Sequence, residues 1–514
     1  MDSMESMISS LQTYMSLAFF LFTGVFLIFA LALKILRSSP WCSCDVCRAY
    51  ASSSWTAEFD NLCDWYTHLL RLSPTRTIHI HILGNTITAN PDNVEHMLKT
   101  RFDNFPKGKH FSTILGDLLG HGIFNVDGDS WLFQRKMASL ELGSNSVRSY
   151  AARIVADEVH DRLLPFLSSV AGTGGVIDLQ DVFRRFAFDS ISKISFGLDR
   201  GCLELPVPMT EFAAAFDLAS KLSAQRATAT CASTWKVKRL FNWGSEKELQ
   251  RAIRLVNVLA EEVIRQRRKL GFTENHDLLS RFMGSVNEGK YLRDIVISFL
   301  LAGRDTVASG LTSFFLELSK NTRVQRAIQD EINRVVRNSS CEFDQVVSHE
   351  HIKEMHYVHA ALYETLRLYP PVQLDSKFCL EDDVLPDGTF VSKGTRVTYH
   401  PYAMGRMEDA WGPDCEVFRP ERWLCNGVFK PENPFKFPVF QAGLRVCLGK
   451  EMAIMQMKTV IVSIVRAFDI NVINETSSSR SRPPKFAPGL TASFASGLMA
   501  RVSRRTSNDG TCSC

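Results

Sequence analysis

Residues 440–449 read Phe440-Gln441-Ala442-Gly443-Leu444-Arg445-Val446-Cys447-Leu448-Gly449. The pattern F-x-x-G-x-R-x-C-x-G describes a cradle for one thiolate. Gly443 and Gly449 permit tight backbone bends around the sulfur. Backbone N–H groups in such a loop point at an anion and lower its basicity. Arg445, two residues before the cysteine, is placed to pair with an anionic group beside it. The stretch from Lys450 to Phe468 is helix-like, so Cys447 stands at a helix N-terminus, where the macrodipole favours negative charge. A cysteine by itself is a small buried hydrophobe. The glycines, the arginine and the helix distinguish Cys447 from the rest of the thirteen cysteines.

Three further patterns carry chemistry. Arg293 to Lys320 is a long, mostly apolar helix candidate containing Ala302-Gly303-Arg304-Asp305-Thr306. A stretch of that kind is ordinarily a core helix, but a carboxylate inside it costs free energy unless satisfied. Gly303 would let a cofactor or small ligand approach the backbone. Glu364 and Arg367 stand at i and i+3 on one helix face, by themselves an ordinary surface ion pair. Trp131 and Arg135 stand at i and i+4, which alone reads as an aromatic core residue under a snorkelling arginine.

The cysteine loop resembles the haem-ligand loop of the cytochromes P-450, the haem-thiolate monooxygenases. The patterns around Trp131/Arg135, Asp305-Thr306, Glu364/Arg367 and Cys447 follow that family's order and spacing, and the likeness covers nearly the whole body after residue 55. It implies a mainly α fold with small β-sheets, the P-450 fold, and haem b held by Cys447 as axial ligand of the iron. It implies that Asp305 and Thr306 serve oxygen activation, and that Trp131, Arg135 and Arg445 meet the haem propionates, with Lys377 a weaker candidate. Glu364 and Arg367 would lock to Arg422 as a structural network. One departure is visible: relatives often carry proline where this chain has Leu444, which loosens the turn without removing a ligand. The likeness further implies electrons from an NADPH-dependent flavoprotein reductase. A haem-thiolate isomerase or dehydratase would need neither oxygen nor reductase, and the Asp305-Thr306 pair argues against it. A catalytically silent haem-binding scaffold would show no NADPH-dependent turnover.

The 514 residues are 45% apolar, ample for a large core, and the net charge of +4 does not suggest a nucleic-acid partner. Residues 6 to 33 contain no charged side chain, and Tyr14 to Leu33 would form about 30 Å of helix, enough to cross a bilayer. Acids precede the run (Asp2, Glu5) and bases follow it (Lys34, Arg37), which favours an uncleaved signal anchor with the body on the cytosolic side. The expected organisation is an anchor over 1–38, a linker over 39–54, a catalytic domain over 55–503 and a flexible tail over 504–514, on the endoplasmic reticulum membrane. The cysteines read as reduced thiols. Cys42, Cys44 and Cys47 have the look of a metal half-site, but no second CxxC or paired-histidine half answers them in the sequence, so zinc is not expected. Thr77 to Ile82 alternates as a strand, with Thr86-Ile87-Thr88 as its hairpin partner.

Longer stretches narrow the likeness. Phe105 to Lys109 with Leu115 to Gly120, Asp178 to Phe186, and Tyr402 to Met407 look like the plant fatty-acid ω-hydroxylase clan. Trp41 to Cys47 and Leu140 to Ser144 look most like its branch that oxidises jasmonoyl-isoleucine. The resemblance implies hydroxylation at the terminal carbon of a small amphipathic carboxylate, either jasmonoyl-isoleucine or its 12-hydroxy form, with oxidation continuing toward the acid. A general fatty-acid ω-hydroxylase is the alternative. His110 and His121 lie on the segment that faces substrate in relatives, with no carboxylate anchor assignable among them.

Overall fold

A computed structural model describes residues 14–27, 42, 44–199, 201–203, 211–229, 232–270, 277–284, 289–337, 347–473 and 484–505. The chain divides into two units: residues up to Trp55 together with His79–Asn85, and Thr56–Ile78 together with Thr86 onward.

In the first unit, Tyr14–Leu27 is an apolar helix whose side chains, Phe19, Phe20, Phe22 and Phe26 among them, are exposed. The rest of the expected anchor, residues 1–13 and 28–38, lies outside the described residues. The segment read as a linker contains a helix, Asp45–Ser52, entered through Cys44 as N-cap. The strand expected over Thr77–Ile82 stops at Ile80. His81–Leu83 forms a 3-10 turn that ends on Gly84 at φ +53°, where a side chain would be strained.

The second unit is mainly helical with small sheets, as the sequence implies. Its axis is a continuous helical run: Gly289–Leu300, a π-helical turn at Leu301–Asp305, then Thr306–Lys320. Tyr291–Lys320 is the helix among the described residues long and apolar enough to span a membrane, but it is mostly buried and serves as core. Its first half packs in one apolar cluster with Phe188, Phe212, Phe216 and Val256; its second half packs in another with Phe183, Leu366 and Val460. The π turn lies between the two. Gly310 marks a close approach of three helices: a Cβ there would meet Met457 Sδ at 2.7 Å and Leu366 Cδ2 at 3.5 Å.

Strands Asp375–Phe378 and Arg396–Tyr399 pair antiparallel, Asp375 facing Tyr399 and Lys377 facing Val397. Because side chains alternate along a strand, Asp375 and Lys377 share one face. Asn85–Thr88 lies beside Arg396–Tyr399, and Thr77 Oγ1 meets Thr88 Oγ1 at 2.8 Å at the base of the preceding hairpin.

Glu364, Arg367 and Arg422 form one buried network. Arg367 donates to both carboxylate oxygens of Glu364 at 2.8 Å, and Arg422 Nε donates to Oε1 at 3.1 Å. Trp423 Nε1 and the Arg419 backbone N–H each add a bond of 2.9 Å. The remaining donors of Arg367 reach the carbonyls of Gly405, Cys415 and Val417, so one guanidinium knits the His356–Leu368 helix to the chain leading toward the cysteine loop. Removing one partner strands the others in the core. Glu364→Ala should cost about 3–5 kcal/mol, read as a large drop in thermal midpoint or loss of soluble protein. Arg323→Ala, which breaks the exposed pair with Glu421, should cost no more than about 1 kcal/mol.

Candidate active site

The cysteine loop is a closed turn. Gln441 and Gly443 both take φ +60°, and the Cys447 N–H donates to the Phe440 carbonyl at 2.7 Å. Gly443 is obligatory, since a Cβ there would stand 2.0 Å from the Leu98 carbonyl oxygen. Gly449 is different. Its φ of −87° is open to any residue, so it does not make the bend expected of it. A Cβ there would meet only Cys447 Sγ, at 4.0 Å, so the missing side chain keeps that flank of the sulfur clear. Burial raises the Cys447 pKa, while the Gly449 N–H and the charges of Arg135 and Lys450 lower it. Cys447 nevertheless retains open surface. The sulfur is thus surrounded by protein and still accessible.

Cations gather beside it. Arg445 donates to Asp127 at 2.6 Å and to the Val126 carbonyl at 3.2 Å, and its guanidinium lies 4.6 Å from the Trp131 ring centre. Asp127 also accepts from the backbone N–H groups of Lys107 and Gly108, at 2.9 and 2.8 Å. Lys377 binds Asp375 at 2.8 Å; Lys107 binds the same carboxylate, and Tyr399 donates to it at 2.9 Å. Burial pushes Lys377 down to about 7. Burial works to raise Asp375, and the two ammonium groups override it, holding the carboxyl well below its usual range. Arg135 feels Cys447 and Arg445 and has no carboxylate partner among the described residues. Three cations (Lys107, Lys377, Arg445) thus share two carboxylates (Asp127, Asp375), Arg135 stands beside them with neither, and Arg445 Nε is buried with no acceptor. A planar group bearing two acid arms fits this surplus.

The central helix opens at one place. It is buried before and after, yet Ala302 is exposed and Leu301, Gly303, Asp305 and Thr306 are half-buried, all within or beside the π turn. Thr306 Oγ1 donates back to the Ala302 carbonyl. Burial raises the Asp305 pKa, and Arg304 partly reverses it. Arg304 bridges Asp305 at 3.1 Å and Asp217 at 2.6 Å, and the latter is partly exposed, so a chain of ionic contacts leads from the helix interior toward solvent. Gly303 does not serve ligand approach: a Cβ would collide with Ile191 at 2.4 Å, so the glycine is required by a neighbouring helix.

Trp131, Arg135, Arg445 and Cys447 therefore come together, with Lys377 near enough to feel the charge of Arg445, while Glu364, Arg367 and Arg422 form their separate network. The sequence reading missed Asp127, Lys107, Asp375 and Tyr399. Asp127 could have been noticed, because it immediately precedes the helix that carries Trp131 and Arg135. Lys107 and Asp375 are 268 positions apart and carry no local signal.

Known proteins point to the same chemistry. Residues 71–491 match the family model for cytochrome P450, and the chain belongs to that family. It is a cytochrome P450 monooxygenase that uses haem b and draws electrons from a redox partner. Its place is in the 94 group of plant P450s. It is 58% identical to cytochrome P450 94C1 of Arabidopsis thaliana over 95% of this chain and 98% of that one. Identity is 48% to cytochrome P450 94B3 of Arabidopsis thaliana over 87% and 88% of the two chains, and 42% to cytochrome P450 94A1 of Vicia sativa over 86% and 87%.

The two loop glycines have separable effects. Gly443→Ala should lower the stability of the haem-free protein, because positive φ and a backbone clash are both unfavourable, by about 1–3 kcal/mol or more. Gly449→Ala should leave the haem-free fold at its wild-type thermal midpoint and change only haem retention and the thiolate absorbance. Equal loss of stability in both variants would contradict the assignment.

Proposed function

We propose that Cys447 ligates the haem iron and that this enzyme oxidises the terminal carbon of an amphipathic carboxylate, jasmonoyl-isoleucine or its 12-hydroxy form, with the alcohol carried on toward the acid. The observation that carries the cofactor assignment is the cation surplus beside an enclosed, open-surfaced cysteine. Bound haem supplies reductive activation of dioxygen and transfer of one oxygen atom into a carbon–hydrogen bond. Arg135, Arg445 with Trp131 beneath it, and Lys377 would hold the two acid arms. Asp127 pre-orients Arg445 and Asp375 pre-orients Lys377, so little reorganisation of those two accompanies binding. Thr306 presents its hydroxyl at the opened turn, where it can turn from the Ala302 carbonyl to hold a proton at Oγ1. Asp305, its pKa raised, can replace that proton from the solvent side. The Glu364, Arg367 and Arg422 network has a structural role.

The substrate reading rests on the likeness of the stretches around Trp41–Cys47 and Leu140–Ser144 and on the similarity to P450 94C1 across 98% of that protein. Physical support comes from the substrate-facing helix Gly108–Leu119. His110 lies 5.2 Å from the Phe378 ring, and burial together with the charges of Lys236 and Arg396 lowers its pKa. A carboxylate head held at these cations would leave the apolar end of the molecule to reach inward. A general fatty-acid ω-hydroxylase is the second reading, supported by the same cations.

The electron donor on this reading is an NADPH-dependent flavoprotein reductase, and the enzyme is a single-pass protein of the endoplasmic reticulum with its catalytic domain in the cytosol. The exposed apolar helix Tyr14–Leu27 supports an anchor over residues 1–38, preceding the linker, the catalytic domain and the tail. Exposed Val237, Leu240, Phe241 and Trp243 form a second apolar surface suited to a membrane.

Turnover with the reductase on jasmonoyl-isoleucine, its terminal alcohol and a medium-chain fatty acid tests the substrate. Terminal oxidation of the conjugate and its alcohol is expected; oxidation of the fatty acid alone would favour the second reading. Lys236→Ala should raise KM for the free acid up to about fivefold, as an exposed charge pair is worth at most about 1 kcal/mol, and should leave KM for the methyl ester unchanged. Thr306→Ala should keep its haem but divert reducing equivalents to hydrogen peroxide, whereas Cys447→Ala should lose the thiolate-type carbon monoxide spectrum. Unchanged product yield per NADPH in Thr306→Ala would remove the threonine from proton delivery.

A further inference from the structure

The sequence offers Cys42, Cys44 and Cys47 as half of a metal site and hides the other half. The structure supplies it. The Sγ atoms of the three cysteines and a ring nitrogen of His81 all lie within 4.8 Å of one another, and Cys42 Sγ is 3.5 Å from His81 Nδ1. All four residues belong to the same unit of the chain. We propose that Cys42, Cys44, Cys47 and His81 hold a structural zinc ion.

Local geometry brings the ligands together. Cys44 is the N-cap of the Asp45–Ser52 helix, with its sulfur 3.5 Å from the Cys47 N–H. Cys47 follows in the first turn and is buried. Both sulfurs therefore sit at the positive end of the helix, where thiolates are favoured. Cys42 approaches from the chain preceding the cap. His81 approaches from the 3-10 turn that interrupts the strand at Ile80, and its ring packs edge-on against His79 at 4.7 Å.

Tetrahedral zinc with Zn–S near 2.3 Å and Zn–N near 2.0 Å spaces its donors at about 3.5–3.8 Å. The Cys42–His81 separation already has that value, and the widest pair needs to close by only about 1 Å to meet it. Three sulfurs and one imidazole form a closed, four-coordinate set of the structural kind, and soft thiolate ligands exclude magnesium and calcium in favour of zinc. The four donors leave no coordination position for substrate or water, so this ion has no part in the oxidation at Cys447. It would instead clip the segment following the apolar N-terminal helix to the turn at His81. Binding releases protons from the thiols and requires them to be reduced.

The full-length holoenzyme, expressed with zinc sulfate in the medium and purified without chelator, should contain one zinc per chain beside its one haem. X-ray absorption at the zinc edge should show three sulfur neighbours near 2.3 Å and one nitrogen near 2.0 Å, the ordinary distances for such ligands. Cys44→Ser/Cys47→Ser and, separately, His81→Ala should each lower zinc at least about tenfold, as loss of a ligand from a closed site does. Haem content and the carbon monoxide spectrum should stay at wild-type levels, which shows that the variants fold. The proposal is overturned if the wild-type protein carries less than about a tenth of a zinc per chain. It is overturned equally if zinc persists in both variants, or if thiol counting finds a disulfide among these cysteines.

Discussion

On the proposed reading Cys447 works as a thiolate, and a thiolate enclosed by protein must be compensated; the surroundings of Cys447 meet that requirement in part. Enclosure raises the thiol pKa, and the Gly449 amide, Arg135 and Lys450 offset part of that rise. The same region then carries more buried positive charge than its own carboxylates can neutralise. Asp127 and Asp375 each hold cations in place without cancelling them. Such a wall is stable only when cations and carboxylates interlock, so the cysteine loop, the helix bearing Trp131 and Arg135 and the strand pair bearing Asp375 and Tyr399 are bound into one arrangement. Buried ion pairs of this kind contribute more to position than to net stability.

The central helix solves the complementary problem of exposing polar groups inside an apolar core. Two apolar clusters grip its halves, and a π turn between them presents Ala302, Asp305 and Thr306. The hydroxyl of Thr306 folds back on the carbonyl of Ala302, as that of Thr312 does on Ala308 in the regular helix that follows. Arg304, itself buried, keeps Asp305 from standing alone as an unpaired charge and connects it to Asp217 near the surface.

Three glycines illustrate how a residue legible in a motif acquires its reason only in three dimensions. Gly443 answers to the carbonyl of Leu98, Gly303 to Ile191 and Gly449 to the sulfur itself. The motif identifies them equally well and distinguishes none of these causes. The cysteines near the N-terminus show the opposite case. Their spacing is suggestive but incomplete, because the fourth donor comes from a turn more than thirty positions away, after the strand has ended at Ile80.

The fold class followed from the family resemblance that four motifs carry together, and short-range pattern was sufficient for the shared helix faces of Trp131/Arg135 and Glu364/Arg367, since each pair depends on neighbours within about one helical turn. The balance of charge was beyond it. Lys107 reaches Asp375, Asp127 reaches Arg445 and Cys42 reaches His81 across long stretches of chain. Those meetings are decided by how helices and strands stack, and stacking is governed by the summed burial of apolar faces rather than by any local run of residues.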